Sequence, residues 1–213
     1  MLHDFWIAFL ETATMMGIAV VLSIIVGVPL GVGLFVTNRG MFWDNKFVQS
    51  VAGTIINIIR SIPYIILLVI LLPVTKLLTG SSTGPIAASV SLTIAAIPFY
   101  ARLVESSLRE IDKGVIEAAE SCGASPWLII KDVLLPEARP GMIAGLTVTV
   151  ISLLGYSAMA GVIGGGGIGD LAIRFGYYRF QNDVMFITVV ILIVLVQLIQ
   201  FTGDRAAKAV DKR

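Results

Sequence analysis

From Thr12 to Val36 the chain carries no Asp, Glu, Lys or Arg and is almost wholly apolar. A helix needs about 20 mostly apolar residues to cross a bilayer, and a backbone in lipid must satisfy its own hydrogen bonds. The run therefore predicts a membrane-spanning helix. Four further runs follow: Val48 to Val74, interrupted by Arg60; Pro85 to Ala101, which is short; Pro140 to Val162; and Val184 to Gly203. The expected fold class is all-α, a polytopic membrane protein with five transmembrane helices. Composition agrees, with 57% hydrophobic and 14% charged residues in 213, against about 25% charged in a typical soluble domain. A soluble chain this apolar would expose large sticky patches. The N-terminal run is too long for a cleavable signal peptide and is followed by further spans, so it reads as a retained helix.

Orientation follows from the basic residues. Five spans put the termini on opposite sides. One side holds Arg39, Lys46, Arg102, Arg109, Lys113, Lys131, Arg139, Arg205, Lys208, Lys212 and Arg213, and the other only Lys76, Arg174 and Arg179. The first side is expected to be cytoplasmic, with the C-terminus inside and the N-terminus outside.

Several chemistries are excluded by what is missing. No Gly-x-x-x-x-Gly-Lys-Ser/Thr occurs, so the chain has no phosphate-cradling loop of the usual ATPase kind. Any ATP hydrolysis is expected to come from a partner. His3 is the one histidine, which argues against Ser-His catalysis and His-based metal sites within the membrane. Cys122 is the one cysteine, so no intrachain disulfide can form. The net charge of +1 gives no electrostatic case for nucleic acid.

The polar interlude between the third and fourth spans has the grammar of two short helices joined by a tight turn. Asp112 can cap the first. Gly123 can end it with φ > 0, because glycine lacks the Cβ that would clash. Ser125-Pro126 then supplies an N-cap and a first-turn proline for the second. A DNA-binding helix-turn-helix shares this layout but needs a basic face. Here Glu110, Asp112, Glu117, Glu120, Asp132 and Glu137 offset Arg109, Lys113, Lys131 and Arg139.

The glycine run Gly164 to Gly167, followed by Ile168, Gly169 and Asp170, matches two unrelated fingerprints. Gly164-x-Gly166-x-x-Gly169 is a dinucleotide pattern, but it follows a membrane helix rather than a strand. Gly167-Ile168-Gly169-Asp170 matches the Gly-x-Gly-Asp of intramembrane aspartyl proteases, which require a second intramembrane Asp. Every other Asp lies in a loop or at a span end. An intramembrane enzyme is thus a distant alternative, and a flexible external turn the expected reading.

Glu117-Ala118-Ala119, three residues, Gly123, nine residues, Val133, one residue, then Leu135-Pro136 closely resembles the coupling loop of ABC-importer permeases. Val133 stands where that family usually has Ile. The segments Ile58 to Tyr64, Leu154 to Gly161 and Gln200 to Arg205 narrow the resemblance to the methionine-type permeases. The resemblance implies a type I ABC importer permease fold, with a transmembrane domain over 8–203 and a short cytoplasmic tail over 204–213. It also implies a bacterial inner-membrane homodimer, two ATPase subunits that bind ATP and Mg, and an external lipoprotein delivering L- or D-methionine. The permease itself would hold no cofactor, no metal and no catalytic residue. A permease of the same class for another amino acid or small solute is the alternative.

Candidate pathway or gate residues are Arg60, Tyr156, Ser157 and Met159. A charge within a span costs roughly 3 kcal/mol or more. Arg60 is expected to pair with carbonyls freed by Pro63 or with an acid such as Glu105, or else to contact a substrate carboxylate. Met159 lies among Ser157, Ala158, Ala160 and Gly161, small residues that let helices approach. Its pliant thioether could plug an apolar pathway or simply pack.

Overall fold

The computed structural model describes residues 2–211, and helices are its only regular secondary structure there. They are α1 (Leu2–Val36), α2 (Lys46–Ser61), α3 (Tyr64–Thr79), α4 (Pro85–Arg109), α5 (Lys113–Ser121), α6 (Pro126–Val162), α7 (Gly167–Leu171) and α8 (Asn182–Val210). Among the described residues, α1, α4, α6 and α8 are each long and apolar enough to cross a membrane. The second expected span is broken instead of continuous: α2 and α3 meet at a bend of 107°. Pro63 explains the break, because it drives the preceding residue out of the helical region. Ile62 is accordingly extended, at φ −80° and ψ 123°.

The broken pair still runs the length of its neighbour. Arg102 of α4 donates to the Gly53 carbonyl and to Asn57 Oδ1 of α2. The Arg60 guanidinium lies over Phe99. Tyr64 OH of α3 then pairs with Ser91 Oγ at 3.1 Å. These contacts step steadily down α4 as α2 and α3 ascend the chain, which is an antiparallel crossing. Counting the bent pair as one span gives the five expected.

α4 is the axis of the bundle, and glycines set its distance from two neighbours. On α1, Gly27 and Gly31 form a small-xxx-small pair. A Cβ on Gly31 would sit 2.5 Å from the Ala101 carbonyl oxygen and 2.7 Å from Val104 Cβ. On α6, Gly141 and Gly145 repeat the device against Ser107 and Leu103. Lipid supplies no hydrophobic drive between helices, so close backbone approach must supply the attraction.

Among the described residues, three buried clusters divide the interior, the smallest joining Ala8, Ile168, Leu171 and Val184. The first gathers Met15, Tyr64, Leu92, Leu153 and Ala160. The second joins Val36 of α1, Val104 and Leu108 of α4, Ile116 of α5, and Ile129, Ile130 and Leu134 of α6. The polar interlude is thereby fused to the ends of the spans.

Three expected boundaries move. α4 continues beyond Ala101 to Arg109. The last helix runs past Gly203 to Val210. The second loop helix is not a separate short element but the first turns of α6. Pro136 fails to break it because residues Ile129–Leu134 form a π turn, in which Leu135 N–H reaches back to the Ile130 carbonyl. The wider turn accommodates the missing N–H and the bulky ring.

The glycine-rich segment is a locked element, contrary to the flexible turn expected. Gly167 N–H donates to Glu11 Oε2 at 2.7 Å, and Ile168 N–H to Thr12 Oγ1 at 2.9 Å, both on α1. Gly167, at φ +87°, has no room for a side chain, since a Cβ would lie 2.6 Å from Thr12 Oγ1. Asp170 is engaged by Arg174 at 3.0 Å. Burial raises its carboxyl above the usual range, with Arg174 opposing and Glu11 adding to the rise.

The packing at Gly31 is directly testable. Gly31→Ala is expected to lower the Tm of the detergent-solubilised protein by several degrees, since overpacking costs about 1–3 kcal/mol. Gly33→Ala, whose Cβ meets nothing within 4 Å, is expected to leave Tm unchanged or slightly raised. Equal effects at the two positions would remove the close-approach role of Gly31.

Candidate functional site

The polar interlude forms a rigid elbow. Asp112 Oδ1 accepts from Gly114 N–H at 2.7 Å and starts α5. Gly123 ends it at φ +78°. Gly123 N–H donates to the Glu120 carbonyl at 2.9 Å, and Ala124 N–H to the Ala119 carbonyl at 3.2 Å. That pair of bonds is a Schellman cap, which satisfies carbonyls the helix end would leave bare. Ser125 Oγ then accepts from Leu128 N–H at 3.4 Å and opens α6, with Pro126 at its first turn.

The elbow has two faces. Ile116, Ile129, Ile130 and Leu134 point into the second cluster, and Val133, Leu135 and Pro136 are half-buried beside them. Glu117, Ala118, Cys122 and Gly123 lie exposed on the other side, and Ala119 is half-buried. The exposed side also carries Val115, Leu128 and Trp127, the last 68% exposed. The pattern singled out in the sequence thus splits between anchoring and display. Sequence reasoning missed Trp127, Leu128 and Val115. The available signal was a large aromatic directly after a Ser-Pro helix start in a polar segment.

Behind the elbow sits an ion cluster, also missed. Glu105, its side chain 3% exposed, receives Arg102 Nη1 on Oε2 at 2.6 Å and Arg109 Nη2 on Oε1 at 2.6 Å. Arg109 Nε adds a second bond to Oε1 at 3.2 Å. Arg102 extends to α2 through Gly53 and Asn57. Arg109 opens onto a cleft of about 520 Å³ between the α1–α2 turn and α5, also lined by Arg39, Lys113, Glu117 and Glu120. The spacing i, i+3, i+7 of Arg102, Glu105 and Arg109 on one helix was the legible signal.

The expected pairing of Arg60 with Glu105 is therefore overturned, because both oxygens of Glu105 are already taken by arginines. The Pro63 carbonyl-pairing alternative is not realised either: the Ile59 carbonyl, which Pro63 cannot engage, accepts Ile62 N–H, and Arg60 donates none of the side-chain bonds found among the described residues. Arg60 occupies the last turn of α2, at the bend, and its guanidinium lies 5.7 Å from the Phe99 ring centre. Tyr156 stacks on Tyr64 with ring centres 4.7 Å apart. Arg60, Phe99, Tyr64 and Tyr156 line one cavity of about 130 Å³. Ser157 does not join them: it is buried and its hydroxyl donates to the Leu154 carbonyl of its own helix. Met159 is 44% exposed on the outer surface of the single chain.

The sequence matches the binding-protein-dependent transport system inner membrane component family over residues 23–213. The chain belongs to this family. It is 48% identical over 203 residues to the probable D-methionine transport system permease protein MetI of Vibrio cholerae, covering 95% of this chain and 90% of the relative. It is 51% identical over 180 residues to the methionine import system permease protein MetP of Bacillus subtilis, covering 84% and 81%. A solved inward-facing structure of the MetNI methionine ABC transporter superposes with a TM-score of 0.97 at 43% identity, covering 99% of this chain and 98% of that one. An amino acid ABC transporter crystallised with histidines shares the fold, at TM-score 0.72 and 20% identity. This permease family accordingly accounts for a transport subunit embedded in the inner membrane.

Removing the anion at the centre of the ion cluster is expected to be costly. Breaking a buried pair by deleting one partner costs about 3–5 kcal/mol, and Arg102 and Arg109 would lose their counter-charge together. Glu105→Ala should lower Tm more than Arg109→Ala, whose side chain is 50% exposed. Thermal unfolding of the purified variants checks the order, and a smaller loss for Glu105→Ala would refute the central role of the carboxylate.

Proposed function

We propose that the chain is the permease subunit of an ATP-driven importer for methionine, in its L and D forms. The carrying observation is the two-faced elbow. Its inner face is fused to α1, α4 and α6, and its outer face displays Val115, Trp127 and Leu128 beside the capped turn at Gly123. An exposed apolar patch on a polar segment marks a protein contact. The partner is a separate ATPase subunit, which binds ATP and Mg. The permease holds neither and performs no bond chemistry.

Two copies of the chain pack about a two-fold axis, as closed symmetric assemblies do, and an external binding lipoprotein delivers the amino acid. Closure of the ATPase pair on ATP moves the elbows. Because each elbow is rigid and welded to three helices, its displacement is passed to the spans as rotation of packed bodies. Nucleotide biases the balance between outward- and inward-open states. In this reading Met159, exposed on α6, plugs the pathway between the copies with a flexible thioether. Names borne by the relatives support methionine as the cargo.

The elbow's angle is the variable to test. A β-branched residue is strongly disfavoured at φ +78°, whereas asparagine tolerates that region. No atom lies within 4 Å of a Cβ at Gly123, so only backbone strain is introduced. Gly123→Val is expected to insert in the membrane yet co-purify poorly with its ATPase, and methionine uptake into proteoliposomes should fall at least tenfold. Gly123→Asn should retain most of both. Undiminished co-purification and uptake by the valine variant would contradict the coupling role. Failure of the complete wild-type system to take up methionine would overturn the substrate.

The orientation proposed has the C-terminus and the elbow in the cytoplasm and the N-terminus and the glycine-rich segment outside. Single cysteines placed at Lys113 and at Thr79 in a Cys122→Ser background should react with an impermeant thiol reagent from opposite sides of the membrane. Labelling of both from the same side would refute the five-span topology.

A further inference from the structure

Glu11 on α1 meets a backbone N–H instead of a cation. Among the described residues it forms no ion pair, and the one hydrogen bond its side chain receives comes from Gly167 N–H at 2.7 Å. Thr12, 5% exposed, takes the next donor, Ile168 N–H, at 2.9 Å. A hydrogen bond to an ionised acceptor is roughly twice as strong as a neutral one. The backbone is shaped to admit the carboxylate, since a Cβ on Gly166 would lie 2.6 Å from Glu11 Oε2.

The far side of the same segment is pressed onto the end of α6. A Cβ on Gly169 would overlap the Ala158 backbone, and one on Gly161 would overlap the Asp170 backbone. Gly165 N–H donates to the Ala160 carbonyl at 2.9 Å. These contacts grip α6 on either side of Met159, whose own side chain is 44% exposed. Successive helical residues point about 100° apart, so Met159 is presented away from the segment that grips its neighbours.

α1 and α6 are also joined at their other ends, because Phe35 and Val36 pack with Ile129, Ile130 and Leu134 in the second cluster. Glu11 lies about 37 Å along α1 from Val36 at 1.5 Å rise per residue. The two helices and the glycine-rich segment thus form a closed frame, with the elbow at one end and Met159 at the other. α6 alone is a weak lever over its last turns. Gly155, whose Cβ would meet nothing within 4 Å, and Gly161 both lie there, and a glycine inside a helix is less favourable than alanine by about 1 kcal/mol. Without the bonds at Glu11 and Thr12 the frame is open at its outer corner.

We propose that Glu11 is a positioning residue for the outer gate: with Thr12 it ties α1 to the glycine-rich segment, so that the outer end of α6 follows the elbow instead of flexing independently of it. The proposal rests on the importer reading above, in which Met159 closes the pathway. Glu11 touches no solute in this role and acts through the backbone it holds.

The test uses permease, ATPase and binding protein together in proteoliposomes and reads methionine uptake per ATP hydrolysed. Glu11→Ala is expected to lower that ratio roughly tenfold, in line with losing a bond to a charged acceptor, while ATP hydrolysis stays within about twofold because the elbow is untouched. Glu11→Gln, which keeps an acceptor oxygen, should restore most of the ratio. Thr12→Val, which keeps the shape and deletes the acceptor, should lower it roughly threefold, as a neutral bond is weaker. Gly203→Ala, whose Cβ would overlap Thr147 at the seam of α6 and α8, should lower Tm and leave the ratio unchanged. A second reading needs no uptake. A nitroxide on Val162→Cys, at the 48% exposed end of α6, in a Cys122→Ser background should change mobility between the nucleotide-free and ATP-vanadate states, and Glu11→Ala should abolish that change. The proposal is overturned if Glu11→Ala keeps the wild-type ratio, if Glu11→Gln falls as far as Glu11→Ala, if Gly203→Ala lowers the ratio equally, or if the nitroxide responds to nucleotide with and without Glu11 alike. Should Glu11→Ala fail to assemble, an unchanged ratio in Thr12→Val overturns it instead. A wild-type complex whose nitroxide response depends on Glu11 but which takes up no methionine overturns the methionine reading and leaves the link standing.

Discussion

Close approach of backbones around α4 is the constraint on which the remaining architecture depends. In water a bundle is held by burying apolar surface, but in lipid the tails compete equally well for leucine and isoleucine. What lipid cannot match is contact at backbone distance. Gly27 and Gly31 on one side, and Gly141 and Gly145 on the other, bring α1 and α6 onto α4 to within a missing methyl group. Gly203 does the same for α8 against Thr147 of α6. Dispersion falls steeply with separation, so a shift of about 1 Å forfeits a quarter to a half of each contact's well. Loosening either seam on α4 would free the helix that carries Glu105 and Phe99, and with it the position of the ion cluster behind the elbow.

That alignment links the elbow to the bend. The second apolar cluster holds α5 and the start of α6 against α1 and α4. From Arg109, beside the cleft at α5, the ion cluster runs through Glu105 to Arg102 and on to the Gly53 carbonyl and Asn57 of α2. The chain of contacts therefore ends on the helix whose last turn carries Arg60. Its members are charged and directional, so they hold a geometry that apolar packing alone would leave free to slide. In the proposed transporter, motion of the elbow and the position of Arg60 share this connection.

The sequence was most legible where one residue type has one physical use. Charge-free runs long enough to span lipid located α1, α4, α6 and α8, and a glycine between two helix signals located the cap at Gly123. Legibility failed where tertiary contact overrides local preference. The second loop helix reads as a short element separate from the span that starts at Pro140, yet a π turn carries one helix through Pro136. The glycines from 164 to 167 read as freedom, yet Glu11 and Thr12, distant in sequence, hold them fixed. Pro63 could have announced the break, but its effect was submerged in the hydropathy of the combined run. At the candidate sites, the Glu105 cluster was visible as helical spacing, while the gathering of Phe99, Tyr64 and Tyr156 around Arg60 depends on three helices meeting and has no local signature.

The placement of charge carries the final step. Arginines 102 and 109 sit where the membrane ends and share one buried carboxylate, so the chain itself neutralises the charge it takes out of water. Arg60 is the contrasting case: it is exposed in the single chain, and its one charge-related contact among the described residues is the Phe99 ring. An exposed guanidinium keeps its solvation and asks little of the fold. The chain therefore spends its buried counter-charge on the cluster that ties α4 to α2 behind the elbow, where a fixed geometry is needed, and leaves the cation at the bend outside it.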